Sequence, residues 1–256
     1  MSEYLGRVRL DGRVWSARVD GDQVELLEGD WLKRPGKRVK TVPTSEVEWL
    51  SPVDNVTVLC VGRNYRAHAA ELHNEVPKSP LFFLKQRGAL TGHQSVVHAP
   101  AWAGRIDYEG ELVLVIGRTL KDCRSSDEAM AALGGITIGN DLTARELQSQ
   151  DGQWTRAKGM DGFAPLGPWV AVGESPASRR LVTRVNGEIR QDGSTDAMIF
   201  GPDRLIMEAS RFMTLYPGDL IFTGTPSGIG PIQDRDEVEI NIQGIGTLSN
   251  SIKIDD

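Results

Sequence analysis

Cysteine is nearly missing from this chain. Its two copies, Cys60 and Cys123, form no Cys-x-x-Cys pair. Thiolate metal chemistry is therefore disfavoured, and a reduced, cytoplasmic protein is expected, with a disulfide between the two left open. Long apolar runs are missing too. Nothing approaches the roughly 20 residues of a membrane helix, and Met1 to Leu10 lacks the apolar centre of a signal peptide, so no membrane partner is expected. Positive charge is in deficit. A net charge of −6, without a basic cluster interleaved with aromatics, argues against nucleic acid as a partner. Several catalytic signatures are absent as well. There is no His-Glu-x-x-His zinc helix, no Gly-x-Ser-x-Gly elbow, no phosphate loop ending in Gly-Lys-Ser/Thr and no dinucleotide fingerprint.

What is present is an ordinary globular mixture, 25% charged and 39% hydrophobic, with 28 glycines and 13 prolines among 256 residues. That balance favours many turns and short strands, in one large domain or a domain with a small appendage. Residues 1–50 read as a small β-rich unit with hairpin signals at Asp11-Gly12 and Asp20-Gly21-Asp22, and residues 33–38 as a polar loop. Residues 51–256 read as the main domain, opening with a buried strand over 56–61. Residues 64–75 are predicted as a helix or lid, 81–84 as a strand, and 126–133 as a helix capped by Ser126. A strand over 135–139 ends at Asn140-Asp141, and Thr143 to Glu146 has capping-box spacing. Asn186-Gly187 predicts a hairpin, 204–212 a helix, 219–223 a strand, and 238–242 with 247–254 the closing strands. Helices inserted singly among strands indicate an α+β, β-rich fold.

The segment Asp107-Tyr108-Glu109-Gly110-Glu111 runs into the apolar Leu112-Val113-Leu114-Val115-Ile116. On a strand, positions i and i+2 share a face, so Glu109 and Glu111 lie side by side where the chain enters the core. Two desolvated carboxylates repel unless one is protonated or a cation joins them, and Mg²⁺ or Mn²⁺ prefers such oxygens. The competing reading is a pair of solvated or edge-protecting charges. Asp141, at a strand-to-helix junction, is a third candidate ligand or an ordinary turn aspartate. His68 and Glu71, at i and i+3 of a helix, have the arrangement of a carboxylate-oriented general base, or of an incidental solvated pair. His73 falls on another face. Lys158, among glycine-rich turns, is placed to stabilise an anionic oxygen, although most lysines are simply exposed. The loop Gly224 to Gly230 offers backbone N–H groups to a carboxylate.

Taken in order, these pieces form a longer pattern. Val61-Gly62-Arg63-Asn64-Tyr65 with His68-x-x-Glu71 is followed by Pro80-Leu81-Phe82-Phe83-Leu84-Lys85 and Tyr108-Glu109-Gly110-Glu111-Leu112. Asn140-Asp141-Leu142-Thr143-Ala144-Arg145, Arg156-Ala157-Lys158, Val185-Asn186-Gly187-Glu188 and Leu220 to Gly230 complete it. From about Val56 to the C-terminus the chain resembles the fumarylacetoacetate hydrolase family, and the first fifty residues resemble the appendage of many bacterial members. The resemblance implies a mixed β-sandwich roll of the family's C-terminal type, usually a homodimer, with Mg²⁺ as the common metal and Mn²⁺ or Ca²⁺ as substitutes. It implies metal ligation by Glu109, Glu111 and Asp141, a lid dyad of His68 and Glu71, and an active-site Lys158. Arg63, Gln148 and Thr225 are implied as substrate contacts. Gln86-Arg87-Gly88 and Phe200-Gly201-Pro202-Asp203 depart from the family pattern, at the pocket rim and not at the ligands.

The implied reaction is enolate chemistry on a small-molecule 2-oxo acid or its enol. Arg156 to Lys158, Asp161-Gly162 and Leu166-Gly167-Pro168-Trp169 are similar to the bacterial 2-hydroxyhepta-2,4-diene-1,7-dioate isomerase/decarboxylase group of aromatic catabolism. C–C hydrolysis of acylpyruvate or fumarylacetoacetate type, and oxaloacetate decarboxylation, share the same intermediate, and the fold does not choose among them. A non-catalytic small-acid binding protein and a structural dimer module are the readings from other classes. Turnover that a chelator abolishes separates them from an enzyme.

Overall fold

The computed structural model describes residues 3–33, 36–71 and 75–255. Arg34 and Pro35 of the expected loop, and His73 with its two neighbours in the expected lid helix, lie outside the described residues. The central strand Gly110–Ile116 has every residue buried. Its even positions, Leu112, Leu114 and Ile116, enter one apolar cluster, and Val113 and Val115 enter another. A continuous apolar run is what a strand covered on both faces requires.

That strand lies in a twelve-stranded sheet. On one side the order runs through Leu133–Asn140, Ala164–Val172, Glu3–Leu10, Arg13–Asp20 and Gln23–Leu27 to Arg38–Pro43. On the other it runs through Leu220–Phe222 and Val58–Gly62 to the edge strand Leu81–Lys85. A five-stranded sheet (Glu188–Ser194, Arg180–Val185, Glu237–Ile242, Gly246–Asp255, Ser95–Pro100) packs against the even face of the central strand through Leu181, Ile240 and Leu248. Most pairings are antiparallel, but Leu220–Phe222 with Val58–Gly62, Gly246–Asp255 with Ser95–Pro100, and Ala164–Val172 with Leu90–Thr91 are parallel. The fold is thus a mixed, β-rich α+β sandwich with few helices, as expected. Among the described residues no helix is long and apolar enough to cross a membrane.

The N-terminal strands enclose a cluster of their own around Val8, Val24, Leu26 and Trp49. Their sheet is nevertheless continuous with the main one, because Leu5 pairs with Val170. Asp11-Gly12 and Asn186-Gly187 turn with positive φ at both residues, as two-residue hairpins require.

Four local expectations are corrected. The helix over 126–131 is capped by Ser125, whose hydroxyl accepts from Glu128 N–H at 3.2 Å, not by Ser126. Thr143 caps nothing. It is a strand residue paired with Asp107, its hydroxyl donates to Asp141 O, and the next helix opens at Arg145 behind Ala144, which makes no side-chain cap. The lid helix begins at Arg66 and not at Asn64, whose amide is spent on Phe200 and Thr223. Asp219 is a turn residue and not part of the strand, since its carboxylate accepts from Thr57 and Tyr216 N–H.

His93 lies where the N-terminal unit meets the main sheet, edge-on to Trp49, and its Nδ1 accepts from Ser249 N–H at 3.0 Å. Burial lowers its pKa from 6.5 to about 4. The unfolded chain takes up this proton near pH 6.5 and the folded chain only near 4, so stability falls as pH drops through that window. With a discount for its partial exposure, the loss from pH 7 to 5 is about 1 kcal/mol. Urea unfolding of His93→Asn, which keeps an acceptor for Ser249, is expected to show a pH difference smaller by that amount.

Candidate active site

The carboxylates converge because of strand register. Gly110 pairs with Asn140, so the residues at the ends of the two strands, Glu109 and Asp141, stand together. Asp141 N–H donates to Glu109 O at 2.9 Å, and Asn140 Oδ1 accepts from Glu109 N–H at 3.0 Å. Glu109 sits where the chain crosses from the small sheet of Ile106–Tyr108 into the large one, and Glu111 is the second residue of the next strand. Carboxylate oxygens of Glu109, Glu111 and Asp141 all lie within 4.8 Å of one another, and the residues are 4%, 1% and 1% exposed. These are not solvated surface charges.

Three cations answer them. Lys158 Nζ reaches Glu109 Oε2 at 2.9 Å and Asp141 Oδ2 at 2.5 Å. Lys85 Nζ lies 2.7 Å from Asp141 Oδ1 and donates to the carbonyls of Leu142, Lys158 and Phe163. Arg145 bridges Glu109 at 2.7 Å and Asp107 at 3.0 Å. Among the described residues Glu111 has none of these partners and accepts a single hydrogen bond, from Gly224 N–H at 2.7 Å.

The electrostatic consequences differ by residue. Burial, then the negative charges of Asp141 and Glu109, push the Glu111 carboxyl well above its ordinary range. Burial acts on Glu109 in the same sense, but Lys158, Arg145 and His68 overcome it and hold that carboxyl well below its ordinary range. At Lys158 burial opposes the charge, and Asp141 and Glu109 more than restore it, so the ammonium is held above its usual range. The donor set is three hard oxygens with no thiolate or imidazole among them. It fits a hard divalent cation, and Glu111, whose ionised form burial and its acidic neighbours oppose, is the carboxylate that such an ion would stabilise.

Above the carboxylates lies a cavity of about 420 Å³. Glu109, Glu111 and Lys158 line it, together with His68, Arg63, Gln148 and Thr225. Asp141 joins the group through Lys158 and Lys85. Glu71 stands behind His68, its Oε2 3.4 Å from His68 Nδ1 and its Oε1 accepting from Gly228 N–H at 3.0 Å. The glycine-rich loop does offer N–H groups to carboxylates, but to the protein's own Glu111 and Glu71. Arg63 holds a positive φ of 59° and lies over the Trp154 ring.

Lys85, Arg145, Asp107 and Trp154 also belong to the site, although their sequence context assigns them no role. Lys85 carried a signal, as the one charge closing an apolar strand, Leu81–Lys85. Arg145 stands three residues before Gln148 on one helix, and the two are bonded at 2.7 Å. Nothing near Trp154 in sequence shows that it borders the cavity.

Residues 57–253 match the family model described as fumarylacetoacetate (FAA) hydrolase C-terminal. The chain belongs to the fumarylacetoacetate hydrolase family. Relatives and solved structures agree with that assignment. The chain is 38% identical over 240 residues to oxaloacetate tautomerase YisK of Bacillus subtilis, covering 87% of this chain and 79% of that one. It is 39% identical to the solved 2-hydroxyhepta-2,4-diene-1,7-dioate isomerase of Mycobacterium marinum, with a TM-score of 0.90 and 98% of each chain covered. Identity to the solved 5-carboxymethyl-2-hydroxymuconate delta-isomerase of Mycobacterium smegmatis is also 39%, with a TM-score of 0.90 over 98% of this chain and all of that one. The protein is an enzyme of this family, and Glu109, Glu111 and Asp141 form a buried acidic triad that could hold a metal ion.

Proposed function

We propose that this enzyme moves a proton between carbon and oxygen in a dicarboxylic 2-oxo acid or its enol, as an isomerase or tautomerase that also supports decarboxylation. The carrying observation is the buried triad of Glu109, Glu111 and Asp141, compensated by Lys158 and Lys85, of which Glu109 and Glu111 line a cavity that His68 also lines. The two isomerases and the tautomerase among its relatives support the same reaction class.

In this reading Glu109, Glu111 and Asp141 hold Mg²⁺, with Mn²⁺ or Ca²⁺ as substitutes. The ion supplies Lewis-acid stabilisation of negative charge on the substrate oxygen. Lys158 adds fixed positive charge at the same place, and because it is buried it does so in a low-dielectric setting. Glu71 engages His68 at Nδ1, which leaves Nε2 to take a proton from the carbon next to the carbonyl and deliver it to the carbonyl oxygen, or to run the transfer in reverse. Arg63 binds a carboxylate. Gln148, whose oxygen is occupied by Arg145, offers its amide N–H groups. The enzyme is taken as a cytoplasmic homodimer, which light scattering tests.

The deciding experiment is a substrate panel of oxaloacetate, unsaturated dicarboxylic 2-oxo acids and acylpyruvates with Mg²⁺ and Mn²⁺. Proton-shift products from the dicarboxylic acids, abolished by chelator, are expected. Acylpyruvate cleavage as the fastest reaction would favour the hydrolase reading instead, in which the His68–Glu71 pair activates water. His68→Ala is expected to lower isomerisation and any hydrolysis by about 10²-fold or more, and decarboxylation less, since loss of CO₂ needs neither a proton taken from carbon nor an activated water. Equal losses in all assays would remove His68 from that role.

A further inference from the structure

Gln191 takes no part in the proposed chemistry, yet it is 1% exposed and each of its amide hydrogen-bonding groups is used. It projects from the strand Glu188–Ser194 of the five-stranded sheet to the segment that joins Glu109 to Glu111. Its Oε1 accepts from Gly110 N–H at 3.0 Å. Its Nε2 donates to Thr225 Oγ1 at 2.8 Å and to Pro226 O at 2.9 Å. Thr225 Oγ1 in turn lies 2.8 Å from Gly110 O. The sheets meet closely here, since a Cβ on Gly110 would stand 2.3 Å from Thr183 Oγ1.

The direction of every bond in this ring follows by elimination. A backbone N–H only donates, so the Gln191 atom facing Gly110 N is the amide oxygen. The amide nitrogen therefore faces Thr225 and Pro226, and it only donates. Gly110 O only accepts, so the Thr225 hydroxyl proton is committed to it. A hydroxyl oxygen has one proton and two lone pairs. At Thr225 the proton and one lone pair are taken, and one lone pair remains on a residue that lines the cavity.

We infer that Gln191 is a positioning residue that fixes the Thr225 hydroxyl as a hydrogen-bond acceptor toward the substrate. The site then favours a ligand that brings a hydroxyl to Thr225 over one that brings a bare carboxylate oxygen. Within the function proposed above, on which this rests, the hydroxyl-bearing enol is the form that Thr225 recognises.

The test is calorimetric binding of malate and succinate, which differ by one hydroxyl, to the full chain loaded with Mn²⁺ and again in chelator. The ratio of the two dissociation constants is read for the unaltered protein, Thr225→Ser, Thr225→Val and Gln191→Met. A hydroxyl's contribution to metal binding is shared by all four proteins and cancels in the comparison. The preference for malate is expected to persist in Thr225→Ser and to fall roughly three- to ten-fold in Thr225→Val, the range of one net hydrogen bond. It should fall likewise in Gln191→Met, where Gly110 N–H loses the amide oxygen that holds Gly110 against Thr225, so that the hydroxyl can turn away from Gly110 O and donate. A merely structural Gln191 would lower the melting temperature and leave the ratio alone. Should Gln191→Met not fold, Gln191→Asn, whose amide is one methylene short, is read in its place. An unchanged ratio in Thr225→Val, or in a folded Gln191 variant, overturns the inference. Failure of the unaltered protein to bind Mn²⁺ or to turn over any 2-oxo acid refutes the parent reading instead, and the ratio in chelator is still read.

Discussion

Glu111→Gln yields a protein that, in chelator, unfolds at a higher urea concentration than the unaltered enzyme and yet binds a divalent cation far more weakly. The two effects have opposite signs because Glu111 is the member of the triad without a cation of its own. Its neighbours Asp141 and Glu109 are negative, and burial removes the water that would screen them. The substitution removes that repulsion and keeps the shape. The new side-chain oxygen can still accept from Gly224 N–H, as Glu111 does at 2.7 Å. A gain on the order of 1 kcal/mol is expected. Metal affinity falls by more than the roughly 100-fold that loss of an outer partner costs, because a directly binding oxygen loses its charge. Turnover falls at least ~10³-fold. Manganese titration, urea unfolding and assay of one preparation check all three. A stability loss in chelator would mean that Glu111 is already compensated, and unchanged affinity would remove it from the metal site.

Asp141→Asn produces the same loss of turnover with the reverse effect on stability. Asp141 is the counter-charge of two buried ammonium groups, Lys85 at 2.7 Å and Lys158 at 2.5 Å. Lys85 has no exposed side-chain surface, and Lys158 only 3%. Neutralising their shared partner strands positive charge in the core, and breaking a buried pair in this way costs about 3–5 kcal/mol. The three carbonyls that accept from Lys85 place the expected loss at the lower end. The two variants thus separate a carboxylate whose charge serves only the ion from one that also holds the fold together. Equal stabilities in chelator would contradict the charge distribution described for the site.

Much of this was legible in the sequence. The Glu109-Gly110-Glu111 spacing ahead of an apolar run specifies two carboxylates at the mouth of a buried strand, because side-chain direction alternates with period two. Asn186-Gly187 and Asp11-Gly12 specify hairpins, because both residues of such turns need positive φ. His68 and Glu71 are neighbours by helical spacing alone. The family itself was legible, since its motifs occur in order over about two hundred residues. The errors are local. Ser126 in place of Ser125, and Thr143 as a cap, arise because capping residues look alike at adjacent positions and only the backbone path selects one.

The chain by itself determined which residues carry charge, where strands turn, and that three acids and a lysine were available for metal and anion chemistry. Tertiary structure alone decided how those charges are shared. Lys85, 56 residues before Asp141, and Arg145, 36 after Glu109, became partners through strand pairing and sheet packing. Gln191 came to direct Thr225 because two sheets touch at Gly110. Coulomb and hydrogen-bond energies depend on separations of a few ångströms and on the exclusion of water, and neither is encoded by distance along the polypeptide.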